Sequence, residues 1–236
     1  MRPQLVCAMA LLAAMALAGC NRPPPDTDSY FPLHLGARWT YALRTDMAKP
    51  PVDATLELSV VRKETLEGEP VTVRRSASGV EYYVREDASG IERVASRTDL
   101  EELPLRDETP IRILPARLQP GVEWIGSTAP VLLQRELEFP PELKYEYRAH
   151  MVYRIAAIDE TLEVPAGRLS PCVRVEGSGS FKIYKDGLTG VADQTIASTE
   201  WYCKGVGLAR FDRDEPADSR MLKGGKVSYV LTEYAP

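Results

Sequence analysis

The sequence predicts an all-β protein, an antiparallel meander that forms a curved sheet, a half-barrel or a sandwich. Three observations predict it. Short segments of alternating apolar and polar residues recur along the chain. Clusters of glycine, proline and small polar residues separate these segments, as turns do between strands. After the first 19 residues, no long stretch carries apolar residues at helical spacing.

Residues 1–19 have the composition of a signal peptide. Arg2 is their only charge, and an apolar run follows from Leu5 to Leu17. That run is too short to span a bilayer comfortably, and the small residues Ala18 and Gly19 close it. We therefore expect this segment to be removed from the mature chain.

Leu17, Ala18, Gly19 and Cys20 resemble the lipobox of bacterial lipoproteins, whose Cys is acylated and becomes the first mature residue. The resemblance implies that acyl chains on Cys20 hold the protein to a membrane. Because Asn21 follows instead of Asp, it also implies an outer-membrane location, with the domain facing the periplasm. The alternative is an ordinary secretory signal cleaved nearby, with Cys20 incidental.

Residues 20–29 contain three consecutive prolines and almost no apolar side chain, so we expect an extended tether in which the nine residues Asn21–Ser29 reach about 28 Å. Residues 30–236 then form the β-rich periplasmic domain. The chain has 29 basic and 34 acidic residues and a net charge of −5, which argues against a nucleic-acid partner. No cofactor is predicted.

The predicted strands of the first half show apolar residues at every second position, except the last, which begins with Ile91 and Val94. These sets are Trp39 and Tyr41; Leu56, Leu58 and Val60; Val71 and Val73; Val80, Tyr82 and Val84; and Ile91 with Val94. The acidic, proline-containing stretch from Asp99 to Pro110 is interpreted as a connecting loop.

The clearest strand of the second half runs from Lys144 to Ile155, where apolar and polar residues alternate almost without exception. The pattern shifts at Ala156–Ile158, which indicates a bulge. Four further segments are interpreted as turns or loops: a hairpin at Leu162–Gly167, a turn at Gly177–Ser180, a polar loop at Asp212–Asp218 and a tight hairpin at Lys223–Lys226.

Two repeated sequence patterns, called echoes below, suggest an internal duplication into two lobes, with a boundary near residue 112. Leu33 to Trp39 and Leu118 to Trp124 both fit the pattern L-x-x-G-x-x-W. A weaker echo relates the strand around Tyr83 to the one around Tyr202. The alternative is that strands opening with a turn and an aromatic residue recur by chance.

Two cysteines remain in the domain once Cys7 leaves with the signal peptide and Cys20 is acylated. Cys172 and Cys203 form an even pair in an oxidising compartment, so we expect a disulfide. The chain-entropy model gives such a bridge about 3.5 kcal/mol. A metal site or a redox pair is the alternative, but the usual C-x-x-C spacing is absent.

Candidate catalytic and metal-binding residues are few. His34 and His150 are the only histidines, and both are expected at the surface. The acidic run of Asp212, Asp214, Glu215 and Asp218 could bind calcium, but a solvated turn is the preferred interpretation and no metal is predicted. Trp39, Trp124 and Trp201 are expected in the core.

The motifs taken together resemble a family of bacterial envelope lipoproteins labelled TapB-like. The resemblance rests on three segments: Tyr30–Leu33 with Gly36, Trp39 and Tyr41; Val164–Gly167; and Trp201–Leu208. It implies a β-rich envelope domain, akin to the curved half-barrels of lipoprotein carriers, in which Cys203 pairs with Cys172. It implies no activity.

Three functions follow in order of preference. The first is a non-enzymatic, membrane-anchored envelope lipoprotein whose interaction or assembly partner is another envelope protein. The second is a carrier or binding module that holds an apolar, lipid-like ligand on the concave face of the sheet. The third is a hydrolase.

Overall fold

The computed structural model describes residues 28–47, 52–136 and 141–236. They form fourteen β-strands and a single 3₁₀ turn at Leu143–Tyr145, with no α-helix among them, so the predicted all-β class is confirmed. The strands are β1 Arg38–Thr45, β2 Val52–Leu66, β3 Glu69–Ser76, β4 Glu81–Asp87, β5 Gly90–Arg97, β6 Leu105–Pro115, β7 Glu123–Thr128, β8 Gln134–Arg135, β9 Ala149–Val164, β10 Gly167–Asp186, β11 Gly190–Cys203, β12 Gly207–Glu215, β13 Leu222–Lys223 and β14 Gly225–Ala235.

The predicted signal peptide, Cys20 and nearly all of the tether lie outside the described residues. Within the described ranges, no helix is long and apolar enough to cross a membrane.

Twelve strands form one antiparallel sheet, in the order β6-β5-β4-β3-β2-β1-β14-β12-β11-β10-β9-β7. Strands β8 and β13 pair separately. The sheet curls into a nearly closed, barrel-like shape, which brings its edge strands β6 and β7 together. Trp124 on β7 bridges them, because its indole Nε1 donates to the carbonyl of Arg112 on β6 at 3.3 Å.

The large sheet consists of two six-stranded meanders. Strands β1 to β6 form one, and β7, β9, β10, β11, β12 and β14 form the other. They join where β1 pairs with β14. The two L-x-x-G-x-x-W segments therefore occupy matching places, since each leads into the first strand of its own meander.

Backbone hydrogen bonds in these two segments match bond for bond. The N–H of Gly36 donates to the carbonyl of Val60, and the N–H of Val60 donates to the carbonyl of Ala37, both at 2.9 Å. In the second half, Gly121 donates to Ile155 at 2.8 Å, and Ile155 donates back to the carbonyl of Val122 at 2.9 Å. The two glycines have φ of 84° and 85°, a left-handed conformation that favours glycine.

The bulges match as well. The register of β2 on β3 skips Val61, and that of β9 on β10 skips Ala156, one residue after Val60 and Ile155 respectively. The register of β5 on β4 skips Val94, and that of β12 on β11 skips Ala209. The bulge predicted at Ala156–Ile158 is thus present.

The second sequence echo is out of register. Tyr202 packs in the same core cluster as Val84, whereas Tyr83 belongs to a cluster on the opposite face of β4. Because neighbouring strand residues point to opposite faces, the structural counterpart of Tyr202 is Val84. The matched hydrogen bonds and bulges are what an internal duplication would leave, and the duplication near residue 112 stays a prediction.

Four predicted loops and strand ends require correction. Strand β6 begins at Leu105, inside the predicted loop Asp99–Pro110, and β9 begins at Ala149 rather than Lys144. Strand β12 continues to Glu215, into the predicted polar loop. The predicted hairpin at Lys223–Lys226 does not form, because β13 pairs with β8 while β14 pairs with β12 and β1.

The predicted turn at Gly177–Ser180 lies instead in the middle of β10, and its glycines serve packing. A Cβ on Gly177 would stand 2.7 Å from the Tyr153 ring, and one on Gly179 would stand 2.0 Å from the His150 carbonyl oxygen. Both positions therefore require glycine because of close approach inside the sheet. The hairpin predicted at Leu162–Gly167 does connect β9 to β10, but its turn is shorter, because β9 continues to Val164.

The main core lies inside the curl and draws on both halves. Its members are Phe31, Val84, Ile91, Leu114, Trp124, Ile155, Val173, Val175 and Tyr202. A neighbouring cluster contains Trp39, Tyr41 and the two cysteines. Cys172 and Cys203 face each other across β10 and β11 and form the predicted disulfide, with their Cα atoms 4.0 Å apart.

Glu81 on β4 anchors a charged cluster on the outer face. Its side chain is 3% exposed and accepts hydrogen bonds from both Nη atoms of Arg62, at 2.7 and 2.8 Å. Tyr83 donates to it at 3.1 Å, and Arg97 pairs with it at 3.0 Å. The hydrogen bonds from Arg62 lower the pKa of Glu81 to about 2.

This shift predicts how stability depends on pH. Because the pKa of Glu81 is lower in the folded state than its ordinary value of 4.5, its contribution is complete above pH 4.5 and is lost as pH falls towards 2. The contribution is on the order of 3 kcal/mol. We expect Glu81→Gln to lower the free energy of unfolding at pH 7, and to flatten its decline between pH 4.5 and 2.

Urea unfolding at a series of pH values measures this. Glu86→Gln is the matched control, because Glu86 is exposed on the same strand. Equal acid sensitivity of the wild type and Glu81→Gln would contradict the assignment.

Candidate functional site

The concave face of the first meander contains a cavity of about 270 Å³. We call it the N-terminal cavity. It is lined by Phe31, Leu56, Leu58, Arg74, Tyr82, Val84, Arg93, Ile111 and Ile113, which come from β2 to β6 and from the segment before β1. Most of this lining is aliphatic or aromatic, so the cavity suits apolar matter.

Strand alternation explains which residues reach the cavity. Leu56 and Leu58 stand two apart on β2, and Tyr82 and Val84 do so on β4, as the sequence predicts. Val71 and Val73 alternate on β3 but pack in the separate cluster with Tyr83. Arg74, directly after Val73, therefore points to the concave side.

Arg74 is the unusual residue of the cavity. Only 9% of it is exposed, and its guanidinium carbon lies 4.6 Å from the ring centre of Phe31 and 4.5 Å from that of Trp39. Its Nε has no hydrogen-bond partner, and no carboxylate of the described residues forms an ion pair with it. Burial lowers the pKa of Arg74, because leaving water disfavours the charged form.

Arg93, the other basic residue of the lining, is neutralised. Its Nε and Nη2 donate to both carboxylate oxygens of Asp107 on β6, at 2.9 and 2.8 Å. A two-point pair of this kind is the strongest geometry for arginine and a carboxylate. The uncompensated positive charge of the cavity is therefore that of Arg74.

Tyrosines, among them Tyr41 and Tyr202, lie near Arg74 on the inner side. Tyr41 donates to the carbonyl of Leu208 at 2.9 Å, and burial raises the pKa of Tyr41 to about 12. Tyr202 donates to Glu200, and burial raises the pKa values of both groups. Near neutral pH the tyrosines thus carry no negative charge that could offset Arg74.

A second and larger cavity, of about 570 Å³, crosses β1, β14, β12 and β11. Its charges satisfy one another. Arg210 donates to Asp212 at 2.8 Å, Ser228 donates to Asp212 at 2.7 Å, and Lys226 pairs with Asp214 at 3.1 Å. Because its acidic and basic side chains already pair with each other, this cavity is a weaker candidate for a ligand-binding site than the N-terminal cavity.

The acidic run does not form one site. Asp212 and Asp214 lie in strand β12, and Asp218 pairs with Lys185. Glu215 is fully buried, not in a solvated turn as predicted, and accepts the backbone N–H groups of residues 131–133 and the guanidinium of Arg213. Among the described residues, no three His, Cys, Asp or Glu side chains converge to hold a metal.

The other predicted residues are mostly structural. Trp39 and Trp124 are buried in the core as predicted, whereas Trp201 is only partly buried and donates to Glu160 at 3.1 Å. His150 is exposed and His34 partly buried. Arg74 was missed, because a basic pair after an apolar alternation is typical of an exposed strand face.

Two solved structures resemble this chain at a low level of similarity. One is a proposed lipoprotein from Parabacteroides distasonis ATCC 8503, with a TM-score of 0.44, 16% sequence identity, and coverage of 88% of this chain and 99% of that chain. The other is a proposed exported protein with a YmcC-like fold from Bacteroides fragilis NCTC 9343, with a TM-score of 0.45, 12% identity, and coverage of 89% and 100%.

No protein-family model matches the sequence, and no curated protein matches it. Similarities of this size carry no conclusion about function, and the TapB-like resemblance stays a prediction.

Proposed function

We propose that this chain is a non-enzymatic lipoprotein of the bacterial envelope, anchored at the outer membrane, whose periplasmic domain binds an apolar ligand in the N-terminal cavity. The observation that carries the ligand-binding part is the cavity itself. Leu56, Leu58, Ile111 and Ile113 line it and remain partly exposed, although they lie on the concave side of the sheet.

Apolar walls facing water are costly, at about 25 cal/mol for each Å² of surface. Packing could have removed that cost by filling the cavity, as it does around Trp124 and Ile155 in the main core. An apolar ligand would remove it in the same way. The cavity therefore favours ligand binding over the interaction role, although the sequence alone favours the interaction role.

The proposed location rests on the sequence alone. The lipobox ending at Cys20 supplies the anchor, and Asn21 supports sorting to the outer membrane. Proline-rich residues then separate the acyl chains from the folded domain, which begins near Tyr30.

A role in assembly with another envelope protein is the second candidate. Apolar side chains stand out from two hairpin ends: Leu100 and Leu103 are 96% and 74% exposed, and Leu188 at the tip between β10 and β11 is fully exposed. A contiguous group of exposed apolar side chains is typical of a contact surface. The hydrolase remains the last hypothesis, to be tested by screening the domain on esters and glycans.

The anchor is tested by metabolic labelling. Cells fed radiolabelled palmitate should label the wild-type chain, and the Cys20→Ser chain should carry no label and leave the membrane fraction, because it lacks the acylated thiol. An unlabelled wild-type chain would rule out the proposed anchor.

The cavity is tested with the neutral fluorescent probe N-phenyl-1-naphthylamine, on the mature chain carrying Cys20→Ser. We expect the probe to bind, and Ile113→Trp to weaken its binding because the larger ring fills the cavity. Ile125→Trp is the matched control, since Ile125 is 80% exposed on β7.

Thermal unfolding of both variants checks that they fold. The cavity would be excluded as the binding site if the wild type left the probe in solution, or if both tryptophan variants bound it as the wild type does.

A further inference from the structure

We propose that Arg74 makes the N-terminal cavity selective for a single-chain amphiphile with an anionic head group, such as a fatty acid, whose carboxylate pairs with the guanidinium. This inference rests on the ligand-binding function proposed above and names the class of its ligand.

The charge balance of the cavity points to an anion. Asp107 neutralises Arg93 through two hydrogen bonds, and the remaining lining is uncharged apart from Arg74. Arg74 has no carboxylate partner among the described residues. An uncharged ligand would leave this guanidinium buried without a counter-ion, which is unfavourable in a low-dielectric interior.

The immediate surroundings of Arg74 compensate only part of that cost. The rings of Phe31 and Trp39 lie within 4.6 Å of the guanidinium carbon, so cation–π attraction stabilises the charge. Tyr41 also shares a side-chain hydrogen bond with the guanidinium, but its hydroxyl is neutral, the rings accept no N–H hydrogen bond in the guanidinium plane, and Nε is left without a partner. A carboxylate accepts two parallel N–H bonds from an arginine, so it would supply what the rings do not.

The shape and lining argue for one acyl chain. From Arg74, the wall continues along Leu56 and Leu58 on β2 and Ile111 and Ile113 on β6, all apolar. The volume, about 270 Å³, lies just below the usual range of pockets for small molecules, roughly 300–1,000 Å³. It therefore suits a single alkyl chain better than a lipid with two.

The ligand series separates head-group charge from chain hydrophobicity. On the mature chain carrying Cys20→Ser, displacement of N-phenyl-1-naphthylamine is measured for laurate, dodecyl phosphate, dodecanol and dodecylamine. We expect the two anions to bind about tenfold or more tighter than dodecanol, because dodecanol cannot form a hydrogen bond between two charged groups with Arg74. Dodecylamine should bind weakest, because its positive charge is repelled by Arg74. Acetate and inorganic phosphate should not compete, because they lack the chain.

Three variants connect this preference to Arg74. Arg74→Met should lose the preference for laurate, about tenfold or more, while keeping its affinity for dodecanol. Arg74→Lys retains the charge and should keep part of the preference. Arg75→Gln is the matched control, because Arg75 is the next residue on β3 but is exposed on the opposite face.

Stability measurements distinguish this role from a structural one. Arg74→Met removes a buried charge that has no counter-ion, so its melting temperature should equal or exceed that of the wild type. If Arg74→Met is as stable as the wild type but binds laurate equally well, the inference is wrong.

The outcomes also distinguish this inference from the function on which it rests. Equal affinity of the wild type for laurate and dodecanol would overturn the role of Arg74 and leave an apolar site in place. Failure of every ligand, including the neutral probe, would overturn the binding function and this inference with it.

Discussion

The curl of the twelve-stranded sheet is the constraint on which the other features depend. A sheet of this width has an apolar face too large to leave in water, and the described residues provide no helix layer to cover it. The sheet therefore covers its own face by curling until β6 and β7 meet at the Trp124–Arg112 hydrogen bond. Bulges at Val61, Val94, Ala156 and Ala209 increase the local twist that this curl requires.

The same curl explains why the cavity lies in one half. Counterparts in the two meanders carry different side chains at equivalent places. Arg74 lies opposite Val60 across β3 and β2, and Val175 lies opposite Ile155 across β10 and β9. A buried arginine in the first half therefore occupies the place of a core valine in the second. Val175 packs into the main core, whereas Arg74 lines a space that no side chain fills. If the halves arose by duplication, this substitution marks where they diverged.

Sequence patterns predicted what depends on local alternation and missed what depends on register. The inward orientation of Leu56, Leu58 and Val84 could be predicted, because alternation along one strand does not depend on which strands lie beside it. The start of β6 and the end of β12 were missed because Asp107 and Asp214 look like loop residues until cross-strand partners are known. Arg93 and Lys226 are those partners. Arg74 was missed for the same reason, since its burial depends on Phe31 and Trp39.

The central claim is that a guanidinium inside the curl, which has no carboxylate partner among the described residues, receives an anionic head group. The most direct measurement is the Nε–Hε NMR resonance of Arg74, assigned by its absence in Arg74→Lys and followed during titration with laurate. The account predicts that this resonance shifts and saturates at one laurate per chain, together with methyl signals of Leu56, Leu58 and Ile111. Methyl shifts with an unmoved Arg74 resonance would contradict it.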